Sequence, residues 1–429
     1  MSARARNIAA SLLCLVTTTA AAGGFGINVN QLQEISPRPG TVIAKDNLSK
    51  YRHLIDHDFA KFIDAETIHL ETGAPLSFDP HLAYIHATQQ YRGQSKIGAA
   101  PGQLDGYRLG RPFPEEPDIK DPQAGIKVAW NMRLAYSGDS GLIPEIHWQL
   151  RDWRRNSVEV EMNFSAKAMR FMYRHVQEPT PFIAENPTDS FGAFYMEAIE
   201  AGSYSGAQVL VYYNRDETQP RNGWVYIPQL QRTQSLASFS RNETMFGSEI
   251  LPDDFLIYSG GLADVTWRYL GRTYMLLPMY RHDEATPSQR NSEDYRYHHV
   301  DFHGRAGCFP NVSWQLRSTF ILQATSNDPK APSAKRLFYV DAQTYLPMLW
   351  KIYKEGDALW KFAITAYANP DSHVAVNHES GVPIPTAFAT IDIGSNRCTT
   401  VQLLAMANVE GVRAKDFDAA NIKRGRRIR

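Results

Sequence analysis

Neither sign of charge dominates this chain: 45 lysines and arginines balance 45 aspartates and glutamates. No basic excess is available to neutralise a phosphate backbone, so nucleic acid is not an expected partner. Cysteine is scarce, with 3 residues among 429, which excludes a disulfide-dense scaffold. Fixed-period repeats and low-complexity tracts are absent, and the composition is neither collagen-like nor that of a disordered chain. Past the N-terminus, no apolar run reaches the length a membrane-spanning helix needs. What is present is ordinary globular material, 43% hydrophobic and 11% aromatic, ample for a large core.

The N-terminus predicts a compartment. Arg4 and Arg6 precede the apolar run Ile8 to Val16, and Ala20, Ala21 and Ala22 supply small residues for cleavage, the pattern of a secretory signal peptide over residues 1–22. Ser11 interrupts the run, which is too brief to span a bilayer, and the bulky Leu13 before Cys14 argues against lipidation. The reading is export to the periplasm. Cys308 and Cys398 remain after cleavage and are a disulfide candidate in a compartment that permits oxidation. The segment Lys423 to Arg429 is strongly basic after an acidic body. A solvated end is the plain reading, and transient contact with an anionic membrane surface the alternative.

Two periodicities divide the mature chain. In "KDNLSKYRHLIDHDFAKFI", Leu48, Tyr51, Leu54, Ile55, Phe59 and Phe62 recur at helical spacing, predicting one amphipathic helix. A second helix is expected from Pro80 to Tyr91, and the proline- and glycine-rich stretch Gly98 to Gly125 reads as a loop. From Ile126 the period becomes two. "IKVAWNMRLAYS" alternates Ile126, Val128, Trp130, Met132, Leu134 and Tyr136 with Lys127, Asn131, Arg133 and Ser137, predicting a strand. "SVEVEMNF", "GAFYMEAIEAG", "AQVLVYYN", "NGWVYIP", "ADVTWRYLG", "NVSWQLRSTFILQA" and "KRLFYVDA" follow suit, and "KEGD" reads as a hairpin turn. The expected fold is mainly β (α+β): an N-terminal helical and loop segment, 23–125, packed on a large antiparallel sheet, 126–429, as one structural domain.

In order along the chain, "GYRLGRPFPEEP", "VAWNMRLAYSG", "GWVYIPQLQR", "DDFLIYSGGLADVTWRYLGRTYMLLPMY", "RLFYVDAQTYLPMLWKIYKEGDALWK" and "DFDAANIKRGRR" resemble a family of uncharacterised Gram-negative periplasmic proteins. That family is catalogued as domain of unknown function 1329, in the LolA/LolB-like group of outer-membrane lipoprotein carriers. The resemblance implies a curved half-barrel covered by a few helices, whose concave apolar face holds acyl chains, working beside a membrane exporter or outer-membrane channel. It assigns no catalytic residues and no cofactor. After the proline of "GWVYIPQLQR" this chain continues "RTQSLAS", where the relatives are strongly basic.

Each chemistry-bearing pattern has a plainer reading beside it. His299, Asp301 and His303 alternate in "YHHVDFHG" and would share one strand face, as a metal triad requires; solvated loop histidines are the plainer reading. "YSGDSG" places Ser140 where trypsin-like proteases carry their nucleophile, yet Leu142 follows and no histidine segment precedes it. "AGSYSG" puts Tyr204 in the nucleophile-elbow position. "TIDIGSNRCTTVQLL" resembles an actin-like phosphate strand, but too little chain follows for that domain, so a hairpin turning at Gly394 to Asn396 is expected.

The aromatic strand faces carry the functional expectation. Trp130, Met132, Leu134, Trp267, Tyr269, Trp314, Leu316, Phe320, Trp350 and Trp360 are candidates for an apolar cavity, with most of them serving as core. The reading is a periplasmic carrier, not an enzyme and without a cofactor, that binds a lipid or other hydrophobic molecule and passes it to or from the outer membrane. The alternatives are a metal-dependent hydrolase built on His299, Asp301 and His303, and a ligand-free envelope interaction module.

Overall fold

Residues alternating between apolar and polar from Ser140 onward build long antiparallel strands, as period-two patterning requires. The computed structural model describes residues 28–186, 189–219, 222–236, 244–292 and 295–423. The expected signal peptide and nearly all of the basic tail lie outside the described residues. In chain order the main strands are β1 (Ser140–Asp152), β2 (Ser157–Arg170), β3 (Ser190–Glu200), β4 (Gln208–Asn214), β5 (Asn222–Ile227) and β6 (Arg232–Ser235). Then come β7 (Val265–Leu277), a small hairpin of β8 (Pro287–Ser292) and β9 (Tyr297–Val300), and β10 (Ser313–Ser326). The series ends with β11 (Lys335–Asp341), β12 (Pro347–Tyr353), β13 (Leu359–Ala368), β14 (Ile384–Asp392) and β15 (Arg397–Ala407).

Among the described residues, the β8–β9 hairpin is a sheet of its own, and the other thirteen of these strands with three short ones (Val42–Ile43, Leu70–Thr72 and Met279–Tyr280) form one sixteen-stranded sheet. Its path runs β7, β10, β11, β12, β13, β14, β15, β1, β2, β3, β4, β5, β6, antiparallel at every step. Two meanders are thus joined where β15 pairs with β1. Among the described residues β6 and β7 do not pair, so the sheet stays open. The turns expected at "KEGD" and at Gly394 to Asn396 connect β12 to β13 and β14 to β15.

Alternation sorts the sheet into two faces. The inner face carries an unbroken aromatic row: Trp148 stacks on Phe255 at 5.3 Å, Phe255 meets Phe388 at 5.9 Å, and Phe388 meets Trp350 at 5.9 Å. Trp350 then meets Phe338, and Phe338 meets Trp267, both at 6.1 Å. Phe255 is not a strand residue. It belongs to the irregular segment 244–264, which lies over the row. That segment is held by Asp254, whose carboxylate accepts from Arg336 Nε at 2.8 Å, Arg336 Nη2 at 2.7 Å and Trp350 Nε1 at 3.1 Å. The cover over these tryptophans is therefore an anchored loop rather than helices.

The outer face is covered by the N-terminal segment and by residues 281–310. Phe59 and Phe62 pack on Phe362 of β13 at 6.0 and 5.3 Å. Asp56 meets Lys351 of β12 at 2.8 Å and Tyr339 of β11. Cys308 and Cys398 are bonded, with Cα atoms 5.9 Å apart, which ties the second cover to β15.

Two elements differ from the sequence expectation. The single helix over residues 46–62 is split into α2 (Leu48–Tyr51), a 3-10 turn and α3 (Ala60–Asp64), following α1 (Val29–Ile35). Asp56 breaks it: its Oδ1 accepts from the Asp58 and Phe59 amides at 3.0 and 2.9 Å while Oδ2 takes the buried Lys351. The tertiary ion pair outweighs helix continuity. Helix α4 (Leu82–Gln90) forms as expected, capped by the His81 ring on the Ala83 amide.

The larger correction is Ile126 to Ser137, expected as a strand and found mostly within helix α5 (Ala124–Arg133). The supposed polar face is not wet. Ala129 and Asn131 are buried, Asn131 exchanges two hydrogen bonds with the Phe113 backbone, and Arg133 pairs with Glu217 at 3.1 Å. Gly125, Val128, Ala129 and Met132, spaced three and four apart, form the helical face that the alternation conceals. Gly125 lies on the main chain of β7, where an added Cβ would stand 2.6 Å from the Trp267 carbonyl.

Candidate functional site

Where the covering loop ends, the inner face continues bare. On β3, β4 and β5, the register aligns Phe194 with Val211, and Met196 with Val209 and Val225. Of these, only Met196 is fully buried, whereas Trp148, Trp350, Phe338 and Phe388 on the central strands are sealed. The result is a cavity of about 580 Å³, within the range of small-molecule sites. Ile227 extends the sheet wall, and Met245, Phe246, Phe255 and Tyr258 of the loop form the opposite wall. Tyr136, Ile384 and Met406 close one side. Tyr204 lines the cavity while 39% exposed, so the space reaches solvent there.

The charged groups along this wall are already engaged. Asp139 accepts from the His175, Val176 and Gln177 amides at 3.0, 2.6 and 2.8 Å. Burial alone would raise its pKa, but these bonds and the His175 ring hold it down to about 2. Arg170 donates to the carbonyls of Ala135 and Gly138 at 2.9 and 3.2 Å, and Arg133 is paired with Glu217. Ser140 gives its hydroxyl hydrogen to the Val409 carbonyl at 2.9 Å, so its position recalling a protease nucleophile carries no activated oxygen. What such a wall offers is apolar contact, which is non-directional.

None of the ten aromatic and aliphatic candidates read from the sequence lines this cavity. Trp130, Met132, Leu134, Trp267, Tyr269, Trp314, Leu316, Phe320 and Trp350 are buried in the main core. Trp130 and Leu134 also border a second, more polar space of about 490 Å³ beside Asp105 and Asp216. Trp360 is half-buried, with its Nε1 on Asp392 at 2.7 Å and Lys354 and Lys361 over its ring. The physical reason is volume: large rings fill the space that their own chain covers, and the hollow is left where valines and an isoleucine face inward. "AQVLVYYN" and "NGWVYIP" carried that signal, as strand faces too slim to fill the layer above them.

The histidine triad is likewise rearranged. Asp301 falls between β9 and the short strand Phe302–His303, and His303 turns to the His69 ring at 5.1 Å. His299 instead meets Glu145 and His147 of β1, the three offering ligand atoms within 4.8 Å of one another. Burial lowers the His299 pKa to about 4 even though its Nε2 lies 2.9 Å from Glu145 Oε2. Neither Glu145 nor His147 stood out in the sequence, because only the folded hairpin brings His299 to them.

No helix in the described residues is long and apolar enough to cross a membrane. Among solved structures, the chain is similar to a domain named for outer membrane lipoprotein sorting from Vibrio parahaemolyticus. Identity is 14% and TM-score 0.47, over 71% of this chain and 100% of that one. A DUF1329 family protein from Desulfovibrio piger is similar at 13% identity and TM-score 0.47, over 72% of this chain and 100% of that one. A LolA superfamily protein from Nitrosomonas europaea follows at 12% identity and TM-score 0.36, over 67% and 94%. No curated protein matches the chain. Residues 42–423 match one family throughout, and the chain belongs to it: the family described as protein of unknown function, DUF1329.

Proposed function

We propose that this chain is a binding protein, not an enzyme, that carries a lipid acyl chain or another apolar molecule in the inner-face cavity. The observation that carries the reading is the bare apolar wall of β3 to β5, facing a hollow of about 580 Å³. Burying each methylene there yields about 0.8 kcal/mol, so a ten-carbon chain gains roughly 8 kcal/mol before ordering costs. Apolar contact alone then supplies the driving force, and it grows with chain length to offset those costs without a charged contact, in keeping with the engaged state of Asp139, Arg133 and Arg170. Weak, non-directional holding suits transfer better than storage. The N-terminal export pattern supports placing that transfer in the periplasm, to or from the outer membrane, with an exporter or channel as partner.

Native mass spectrometry of protein purified from the periplasm is expected to show co-purified apolar ligand. Val211→Trp, which fills the hollow without touching the covered core, is expected to weaken binding of a fluorescent fatty acid by roughly tenfold, about 1.4 kcal/mol. Unaltered affinity in a folded variant would remove the cavity from the proposal.

A further inference from the structure

On the opposite side of β1 from the cavity, we infer a binding site for a first-row divalent ion of the zinc class, formed by Glu145, His147 and His299. The two β1 ligands are placed by local sequence. Pro144 lies in a bulge of β1 between Ile143 and Ile146, a device that re-aims side chains. Beyond it Glu145 and His147, two apart, point outward while Ile146 and Trp148 enter the core. The third ligand arrives on the β8–β9 hairpin, fixed to β15 by Tyr297 Oη on the Leu403 carbonyl at 3.0 Å and by Gln402 Nε2 on the Val300 carbonyl at 2.6 Å.

The spacing suits a tetrahedral ion. His299 Nε2 lies 2.9 Å and His147 Nε2 3.5 Å from Glu145 Oε2. Zinc ligands held at 2.0 to 2.2 Å in a tetrahedron stand about 3.4 Å apart. The supporting bonds point the same way. Ser292 Oγ donates to Glu145 Oε1 at 2.6 Å, which leaves Oε2 for the site. Asn163 gives its amide N–H to Glu200 at 3.0 Å and so turns Oδ1 to His147 Nδ1 at 2.8 Å. A proton on Nδ1 satisfies that contact, and His147 Nε2, buried and without a hydrogen-bond partner, then aims a lone pair at a carboxylate. This repulsive arrangement is relieved by a cation between them, with Asn163 orienting the ring as outer partners of metal-bound histidines do. His299 is fully buried, whereas Glu145 is 27% exposed. The ion therefore enters from solvent and keeps a fourth position open to water, as in three-ligand sites. One group opposes it: Arg290 Nη1, which can only donate, stands 2.8 Å from His147 Nδ1 and reaches on to Glu161 at 3.4 Å, so it competes with Asn163 for that nitrogen and must step aside for the proton to sit there.

The site joins the outer hairpin to the sheet, and because it lies on the other face from the cavity its test is independent of the carrier proposal. Zinc chloride titrated calorimetrically into chelator-treated protein is expected to bind at one ion per chain with micromolar affinity. Glu145→Gln and His147→Gln are each expected to weaken binding by at least about tenfold. Arg290→Gln, which removes the neighbouring cation, is expected to tighten it, a change that a structural role for Arg290 would not produce. His69→Gln, at the separate His69–His303 pair, is expected to leave binding unchanged. Absence of heat above the buffer control, or binding unaffected by Glu145→Gln and His147→Gln in folded protein, would overturn the site.

Discussion

Asp254→Ala is expected to lower stability by about 3 to 5 kcal/mol, the usual cost of removing one partner of a buried ion pair. Asp254 is 1% exposed and receives two guanidinium N–H bonds from Arg336 and one from the Trp350 indole. Alanine leaves a buried cation without its counter-charge and frees the loop over the aromatic row. Urea unfolding with a shared slope for wild type and variant measures the change, and a loss below about 1 kcal/mol would show that the loop is held by its apolar contacts alone. Replacing both partners, Asp254→Leu with Arg336→Met, is expected to recover most of the loss, since apolar groups of similar volume replace buried ion pairs at little cost. Fatty-acid binding is expected to fall in the single variant and return in the double one, because Phe255 and Tyr258 of this loop are also cavity wall.

The second large effect is on acid stability. His282 and His303 are held near pKa 4, His282 by burial despite its bond to the His298 carbonyl, and His303 by burial with His69 beside it. His373 is pushed well below the ordinary value by burial among His282, His299 and His378. Burial favours the neutral rings, so below pH 6.5 the unfolded chain binds protons that the folded chain refuses. Stability is complete above that pH and is lost as pH falls through 6 toward 4, by about 3 kcal/mol for each of His282 and His303. The denaturation midpoint in the presence of chelator is expected to drop steeply across this window. His282→Gln with His303→Gln is expected to flatten the decline, and an unchanged slope would place acid sensitivity elsewhere.

The fold was legible because alternation survives wherever one sheet face is wet or loosely covered: "SVEVEMNF" and "AQVLVYYN" read as strands and are strands. It failed at Ile126 to Ser137, where both sides of the element are buried, so apolar spacing no longer reports the period. It failed again at Asp56, whose demand for Lys351 comes from a residue 295 positions away. The disulfide candidate was readable from compartment and count, and Cys308 is bonded to Cys398. The hollow lies away from the tryptophan faces because large rings such as Trp267 and Trp350 are covered by their own chain, whereas Val209 and Val225 leave room. Glu145 and His147 were invisible for a different reason: a carboxylate and an imidazole two apart on a strand say nothing until a distant hairpin supplies the third group.

Gly125 gives the cavity a mechanical weak point. It is the second residue of α5, which ends at Arg133, and Arg133 and Tyr136 both stand in the cavity wall. At Gly125 main chain meets main chain, with the Trp267 carbonyl 2.6 Å from where a Cβ would stand, so one extra methyl group at this pivot tips the far end of the rod. Gly125→Ala, a residue that does not itself line the hollow, should therefore reshape it as a lever does, and a change in which fatty-acid chain lengths bind would register that tilt.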